Sequence, residues 1–189
     1  MPFDHFDLIA GIYDRSGQFQ VSEMLSGLLG LSPNCLLLDA GGGTGRVAAA
    51  MRSLVGNVIV ADPSRGMLRR ASARGLATVC APAELLPFPS GSFDRVIMVD
   101  ALHHVFDQGQ AARELFRLLA PGGRMVIVEP DIRKFIVKVV AAGEKVLLMR
   151  SHFLNGEKIV ALLNASDAKT GVYYDEFNVI CIAERVRRM

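Results

Sequence analysis

With 189 residues, 51% of them hydrophobic and 21% charged, the chain has the composition of a folded globular protein of one domain, not of a disordered segment. Its formal net charge of +2 is too near neutral to make nucleic acid the main partner, and Arg185, Arg187 and Arg188 read as a solvated tail. No run reaches the roughly 20 unbroken apolar residues of a membrane helix, and the first residues, with Asp4 and Asp7 and no basic start, are not a signal peptide.

Apolar runs alternate with helical spacing, as βα units on a mostly parallel sheet require. Helical spacing predicts helices over residues 6–15 and 19–29, the second broken by the segment around Pro33. Residues 35–39 are a continuous apolar run ending in Asp39, the mark of a buried central strand. A glycine turn follows, then a helix over 44–54. Residues 57–62 make a second strand, again ending in an acid, Asp62. Ser64 caps a helix reaching about Arg74, and residues 76–80 are a third strand. Residues 82–92, rich in Pro, Gly and Ser, are a loop. Strand four covers 93–99. A helix over 108–119 is stopped by Pro121, Gly122 and Gly123, and strand five covers 124–129. Ile132, Phe135, Ile136, Val139 and Val140 then recur at helical spacing, with Arg133, Lys134, Lys138 and Lys145 elsewhere on that helix. A short helix over 156–164 takes Asn155 as its cap, and two strands, 172–177 and 179–183, meet tightly at Asn178.

Three widely spaced cysteines, Cys35, Cys80 and Cys181, offer neither a disulfide framework nor a zinc site. Each lies in or beside an apolar strand, so they read as buried structural thiols of a reducing, cytoplasmic compartment. No spacing anywhere resembles a metal site.

The chemistry concentrates at the turn running Asp39-Ala-Gly41-Gly-Gly43-Thr-Gly45, between a buried strand and a helix. Glycines there let the chain turn sharply and let a ligand approach the main chain, beside the free N–H groups of a helix start. Asp62 ends the next strand at the same crevice, where a carboxylate can accept from both ribose hydroxyls of an adenosine. The run from Gly43 to Ala48 also fits the glycine fingerprint of NAD and FAD proteins. Asp39 shifts the balance, because its charge opposes a pyrophosphate but suits a cationic amine such as that of S-adenosylmethionine. Only about 60 residues follow strand five, which leaves little room for a separate substrate domain.

The run from Leu38 to Gly45 resembles the cofactor motif of class I S-adenosylmethionine-dependent methyltransferases. The run from Asp62 to Leu68 is similar to their second motif, and the runs 83–94, 101–104 and 119–123 are similar to the remaining ones, in the same order and spacing. Together they resemble the type 11 group, which includes the ubiquinone/menaquinone-biosynthesis C-methyltransferases. Residues 6–14 are similar to that group's N-terminal helix. The resemblance is close over residues 6–129 and holds only in outline beyond.

The resemblance implies a three-layer Rossmann-like α/β sandwich with a mostly parallel seven-stranded sheet and an antiparallel C-terminal strand. It implies one domain over 1–189: N-terminal helices in 1–30, a cofactor-binding core in 35–129, a lid and helix in 131–165, and a hairpin in 171–185. It further implies that Asp39 holds the methionine ammonium, directly or through water, and that Gly41 and Gly43 give backbone contacts to the methionine end. Asp62 binds the ribose, Pro63 lies against one adenine face, and Ala83 offers its N–H to the adenine ring beside Glu84. Asp100 lies near the methionine, and Tyr13 closes over the cofactor. Pro82 departs from the family, whose members usually carry there an Asp that accepts from the adenine amino group. A lost hydrogen bond costs about 0.5–1.5 kcal/mol net, so binding should survive.

No catalytic residue is assigned, and His104 is the candidate that could face an acceptor. The stripe over 132–150 is read either as a helix packed over the sheet or as a lid over the acceptor pocket that meets a lipophilic substrate. The expected activity is methyl transfer from S-adenosylmethionine to a small molecule, on carbon, oxygen or nitrogen, leaving S-adenosylhomocysteine. The protein is expected to be a monomer or homodimer that binds no nucleic acid. Two alternatives stay open: a nicotinamide-dependent oxidoreductase, and a non-catalytic cofactor-binding protein on the same fold.

Overall fold

The protein is described by a computed structural model covering residues 23–134 and 152–187. The described residues form five helices and seven strands: α1 (Glu23–Leu29), β1 (Leu36–Ala40), α2 (Arg46–Met51), β2 (Asn57–Asp62), α3 (Arg65–Ala73) and β3 (Ala77–Cys80), then β4 (Phe93–Val99), α4 (Gln108–Leu118), β5 (Leu119–Pro130), α5 (Gly156–Leu162), β6 (Ala168–Tyr174) and β7 (Asn178–Arg185). Short 3-10 turns follow α2 and β4.

The strands form one sheet in the order β3-β2-β1-β4-β5-β7-β6. Pairings from β3 through β5 are parallel, and β7 runs antiparallel to both β5 and β6. The architecture is therefore the Rossmann-like one, with β7 as the antiparallel C-terminal strand. β1 reads as a near-continuous apolar run because helices cover both its faces: Leu37 and Leu38 are each fully buried, on opposite sides. One side packs Leu38, Val96, Met98 and Met125 with Leu115 and Leu118 of α4 and Ile159 of α5. The other packs Leu37, Val60, Ile97 and Val126 with Leu29 of α1, Met51 of α2 and Leu68 of α3. Strand order reverses between β1 and β4, and a parallel sheet opens a crevice at that point, outside the carboxyl ends of its strands.

Local chemistry sets the helix starts. Ser64 accepts from the Met67 N–H at 3.3 Å, Asp107 from Gln110 at 2.8 Å, and Asn155 from Lys158 at 3.0 Å. The stop after α4 differs from expectation. β5 begins at once at Leu119 and runs through Pro121, Gly122 and Gly123, with its register to β4 shifting between Phe93 and Arg95. Gly122 takes a φ of 83°, and a Cβ on Gly123 would lie 2.8 Å from the Ala120 carbonyl, so the residues that end the helix are absorbed as an irregularity of the strand.

The C-terminal hairpin also differs. β6 starts at Ala168, four residues before the expected strand, and the turn falls over residues 175–177 instead of at Asn178. The Asp175 carboxylate closes it, accepting from the N–H groups of Phe177 at 2.9 Å and Asn178 at 2.6 Å. Cys35 and Cys181 are buried as expected, but Cys80 is exposed because β3 is an edge strand. The expected helix over 6–15, with Tyr13, lies outside the described residues, as do residues 135–150 of the expected lid. Among the described residues no helix is long and apolar enough to cross a membrane.

Two glycines test how tightly the β1–α2 turn is packed. Gly45 has a φ of 75°, and a Cβ there would meet Leu76 at 2.4 Å and Ala71 at 3.0 Å. Gly45→Ala should cost about 2–4 kcal/mol from backbone strain and overpacking together. Gly27→Ala has nothing within 4 Å and should be neutral or stabilising by up to about 1 kcal/mol in the exposed middle of α1. Urea denaturation of both variants checks the contrast; equal effects would contradict it.

Candidate functional site

The crevice at the switch point holds a cavity of about 370 Å³. Asp39, Gly41, Gly43, Asp62, Pro63, Ala83, Glu84, Asp100 and His104 all line it, so every candidate residue among those described comes to one place. They lie at the carboxyl ends of the parallel strands β1 to β4 or in the loops that follow them. Pro82 also lines the cavity, as do the apolar side chains of Val47, Met67, Met98, Val105 and Phe106.

The glycine turn is built for close approach. Gly41 and Gly43 take φ values of 67° and 54°, which side-chain-bearing residues rarely adopt. Gly41 donates its N–H to the Ala61 carbonyl at 2.7 Å, tying the turn to β2. Gly43 donates to Asp62 Oδ2 at 3.0 Å, and Ser64 donates to Asp62 Oδ1 at 2.8 Å. These two bonds, one to each oxygen, orient the Asp62 carboxylate.

Asp39 lies beneath the turn and is fully buried. Its Oδ2 accepts from the Ala48 N–H at 3.1 Å. Its Oδ1 is the one buried side-chain polar atom among the described residues without a hydrogen-bond partner. Burial pushes the Asp39 pKa up to about 7; the nearby Asp62 charge adds to this, while the Ala48 bond and Arg46 oppose it. A Cβ on Gly42 would sit 2.6 Å from this carboxylate, so only glycine lets the main chain lie across it.

The turn after β4 forms the facing wall. Asp100 has a φ of 51°, the one non-glycine residue in the left-handed region among those described. Burial raises its pKa, the Glu129 charge raises it further, and His103 and Arg46 oppose. His104 reaches the cavity, but burial, helped by His103, pushes its pKa down to about 4 against the pull of Glu129. It is a neutral imidazole at pH 7 and a weak base. Glu84 spends part of its carboxylate on structure, accepting from Phe106 N–H at 3.1 Å and Asp107 N–H at 3.2 Å.

Sequence reasoning missed Glu129, and weighed His103 only beside His104 as a possible base, not as a partner of Glu129. Glu129 ends the expected strand over 124–129 as Asp39 and Asp62 end theirs, and that repeated acid was the available signal. Its Oε1 accepts from Ala101 N–H at 2.9 Å and Leu102 N–H at 2.8 Å, and its Oε2 meets His103 Nδ1 at 2.5 Å. Among the described residues, His152 and the Tyr173–Tyr174 pair are not cavity residues; His5 lies outside the described residues. No cluster of His, Cys, Asp or Glu suited to a metal occurs among the described residues.

Residues 38–127 match the family described as a methyltransferase domain, type 11. The matched segment contains the glycine turn, both strand-end acids and the turn after β4. Over residues 38–127 the chain is therefore similar to the type 11 methyltransferase domain family. Over 104 residues it is 43% identical to the ubiquinone/menaquinone biosynthesis C-methyltransferase of Pasteurella multocida, covering 49% of this chain and 39% of that one. The chain thus spans about two-fifths of that relative's length. Its fold is that of an S-adenosylmethionine-dependent methyltransferase from Thermotoga maritima (TM-score 0.76, 22% identity, 95% of this chain and 97% of the other). An S-adenosylmethionine-dependent methyltransferase from Aquifex aeolicus is similar in the same way (TM-score 0.76, 16% identity, 97% and 100%).

The buried Asp39 couples stability to pH. Its folded pKa of about 7 exceeds the ordinary 3.8, so its contribution is fully present below about pH 4 and lost as pH rises through 7. Asp39→Asn removes that loss. Ligand-free variant should be more stable than wild type at pH 8.5, on the order of 2–4 kcal/mol, and the gain should shrink toward pH 5. Thermal melts across that range check it; a gain independent of pH would contradict the assignment.

Proposed function

We propose that the chain binds S-adenosylmethionine in this cavity and transfers its methyl group to a small-molecule acceptor, releasing S-adenosylhomocysteine. The observation that carries the reading is the unpaired, buried Oδ1 of Asp39 beneath the glycine turn. A pyrophosphate at that turn would meet a negative charge; an α-ammonium would meet its counter-ion, directly or through water. This counts against the nicotinamide reading. The cavity volume lies within the range of small-molecule cofactor sites.

In this reading Asp62 takes the ribose hydroxyls, Pro63 and Ala83 flank the adenine with Glu84 beside them, and Gly41, Gly43 and Asp100 meet the methionine end. Tyr13, outside the described residues, closes over the ligand from the N-terminal segment. Pro82 offers the adenine amino group no side-chain acceptor. When bound, S-adenosylmethionine supplies a methyl carbon already activated by the sulfonium. The chain's task is then to orient the acceptor along the methyl–sulfur axis and to exclude water. The apolar wall of Val105, Met98 and Phe106 serves the second purpose. His104, neutral and weakly basic, orients an acceptor better than it deprotonates one. The curated relative is named for ubiquinone and menaquinone biosynthesis, so carbon methylation of a quinone precursor is the first acceptor chemistry to assay. Three free cysteines suit the cytoplasm.

Calorimetric titration with S-adenosylmethionine and, separately, NADH tests the reading. Saturable binding of S-adenosylmethionine alone is expected, weakened at least about tenfold by Asp62→Ala, which takes away a charged hydrogen-bond partner. Near pH 6.5 the measured enthalpy should vary with the ionisation enthalpy of the buffer, because pairing Asp39 with an ammonium expels its proton. Binding of NADH, or of neither ligand, would sink the proposal.

A further inference from the structure

Outside the glycine turn and the two acids of the cofactor reading, one buried polar cluster stands out. Glu129 is 2% exposed and His103 4% exposed, yet neither belongs to the cavity wall. The Glu129 carboxylate gathers three partners from one turn: the Ala101 and Leu102 N–H groups through Oε1, and His103 Nδ1 through Oε2. Buried carboxylates are costly unless satisfied, so three bonds to consecutive residues fix that turn closely.

The turn needs fixing. Asp100 sits in a strained left-handed conformation, held at its other end by donation from its N–H to the Val128 carbonyl at 2.9 Å. Strain of this kind persists only where surrounding structure imposes it. The turn also touches the glycine loop: a Cβ on Gly41 would lie 2.7 Å from the Ala101 Cβ. On its far side, the His103 ring stacks on Phe153 at 4.3 Å, its carbonyl accepts from His152 N–H at 2.8 Å, and Gln108 bridges the Leu102 and His152 carbonyls. Glu129 is therefore the point at which β5 grips both the glycine loop's neighbour and the chain around residues 152–153.

We propose that Glu129, acting through Ala101, Leu102 and His103, is the positioning residue that holds the Asp100–Ala101 turn against the glycine loop and so shapes the methionine end of the donor site. The inference rests on the S-adenosylmethionine reading above. It separates two halves of that site: the methionine end depends on Glu129, whereas the nucleoside end, built on Asp62, Pro63 and Ala83, does not.

The test compares two probes by calorimetry: S-adenosylhomocysteine, which reaches both ends, and 5′-methylthioadenosine, which lacks the amino-acid end. Glu129→Ala should weaken S-adenosylhomocysteine binding at least about tenfold and change 5′-methylthioadenosine binding less than about twofold. Glu129→Gln keeps an oxygen for the two backbone donors and should recover most of the loss, to within about threefold of wild type. General loosening of the fold would weaken both probes together. Parallel loss of the two probes, or unchanged S-adenosylhomocysteine binding, would overturn the proposal. Should Glu129→Ala not fold, His103→Ala carries the test, with about a threefold or larger loss confined to S-adenosylhomocysteine; equal binding there overturns it. A wild-type chain that binds neither probe would overturn the donor-site reading itself, and this inference with it.

Discussion

Burying carboxylates at the ends of parallel strands is the constraint from which the site follows. Asp39 ends β1's apolar run, Asp62 ends β2, and Glu129 lies at the end of β5, exposed by 0%, 9% and 2% respectively. A carboxylate taken from water must be given donors. Here the donors are main-chain N–H groups beyond strand ends: Ala48 in α2 for Asp39, Gly43 and Ser64 for Asp62, Ala101 and Leu102 after β4 for Glu129. Each acid thus ties down main chain beside the crevice. The parallel sheet makes this possible, because its strands all deliver their carboxyl ends, and the loops after them, to one side.

The three acids differ in how completely they are satisfied, and the difference separates structural from functional roles. Glu129 has partners for both oxygens and serves as a brace. Asp62 is held by backbone donors on both oxygens and lines the cavity. Asp39 keeps one oxygen unpaired and is raised to a pKa of about 7, a standing cost in the ligand-free chain. In the proposed reading, a cationic ligand end is the partner that would remove the cost. The strained Asp100 and the left-handed glycines belong to the same pattern: local rules are broken around the crevice and kept elsewhere.

The apolar features of the cavity follow a different logic. Met67, Met98 and Val105 bring no donors or acceptors, yet they make the space dry enough for charge pairing to count. Phe106 is 84% exposed while lining the mouth, and Glu84 holds its backbone from the neighbouring loop. Glu84 shows how a residue placed beside the adenine by resemblance also has a structural task that only spatial neighbours reveal.

The sequence by itself determined the elements whose signals are local. Residues 57–62 and 93–99 are strands with the expected bounds, because short apolar runs between turn residues leave little choice of conformation. Ser64 and Asn155 cap their helices as expected, since a cap bonds three residues away. The glycine turn and its two acids were legible for the same reason: they stand next to one another in the chain. Tertiary structure alone decided what depends on partners distant in sequence. Cys80 is exposed because β3 is the sheet's edge, and β6 begins early because β7 offers it a full ladder of partners from Ala168 to Tyr174. The grip of Glu129 on residues 101–103 spans more than twenty-five positions and exists only because β5 lies beside β4. Periodicity and capping act over a few residues, whereas a buried carboxylate takes whichever donors the neighbouring strand's loop brings to it, and strand order is a property of the whole sheet.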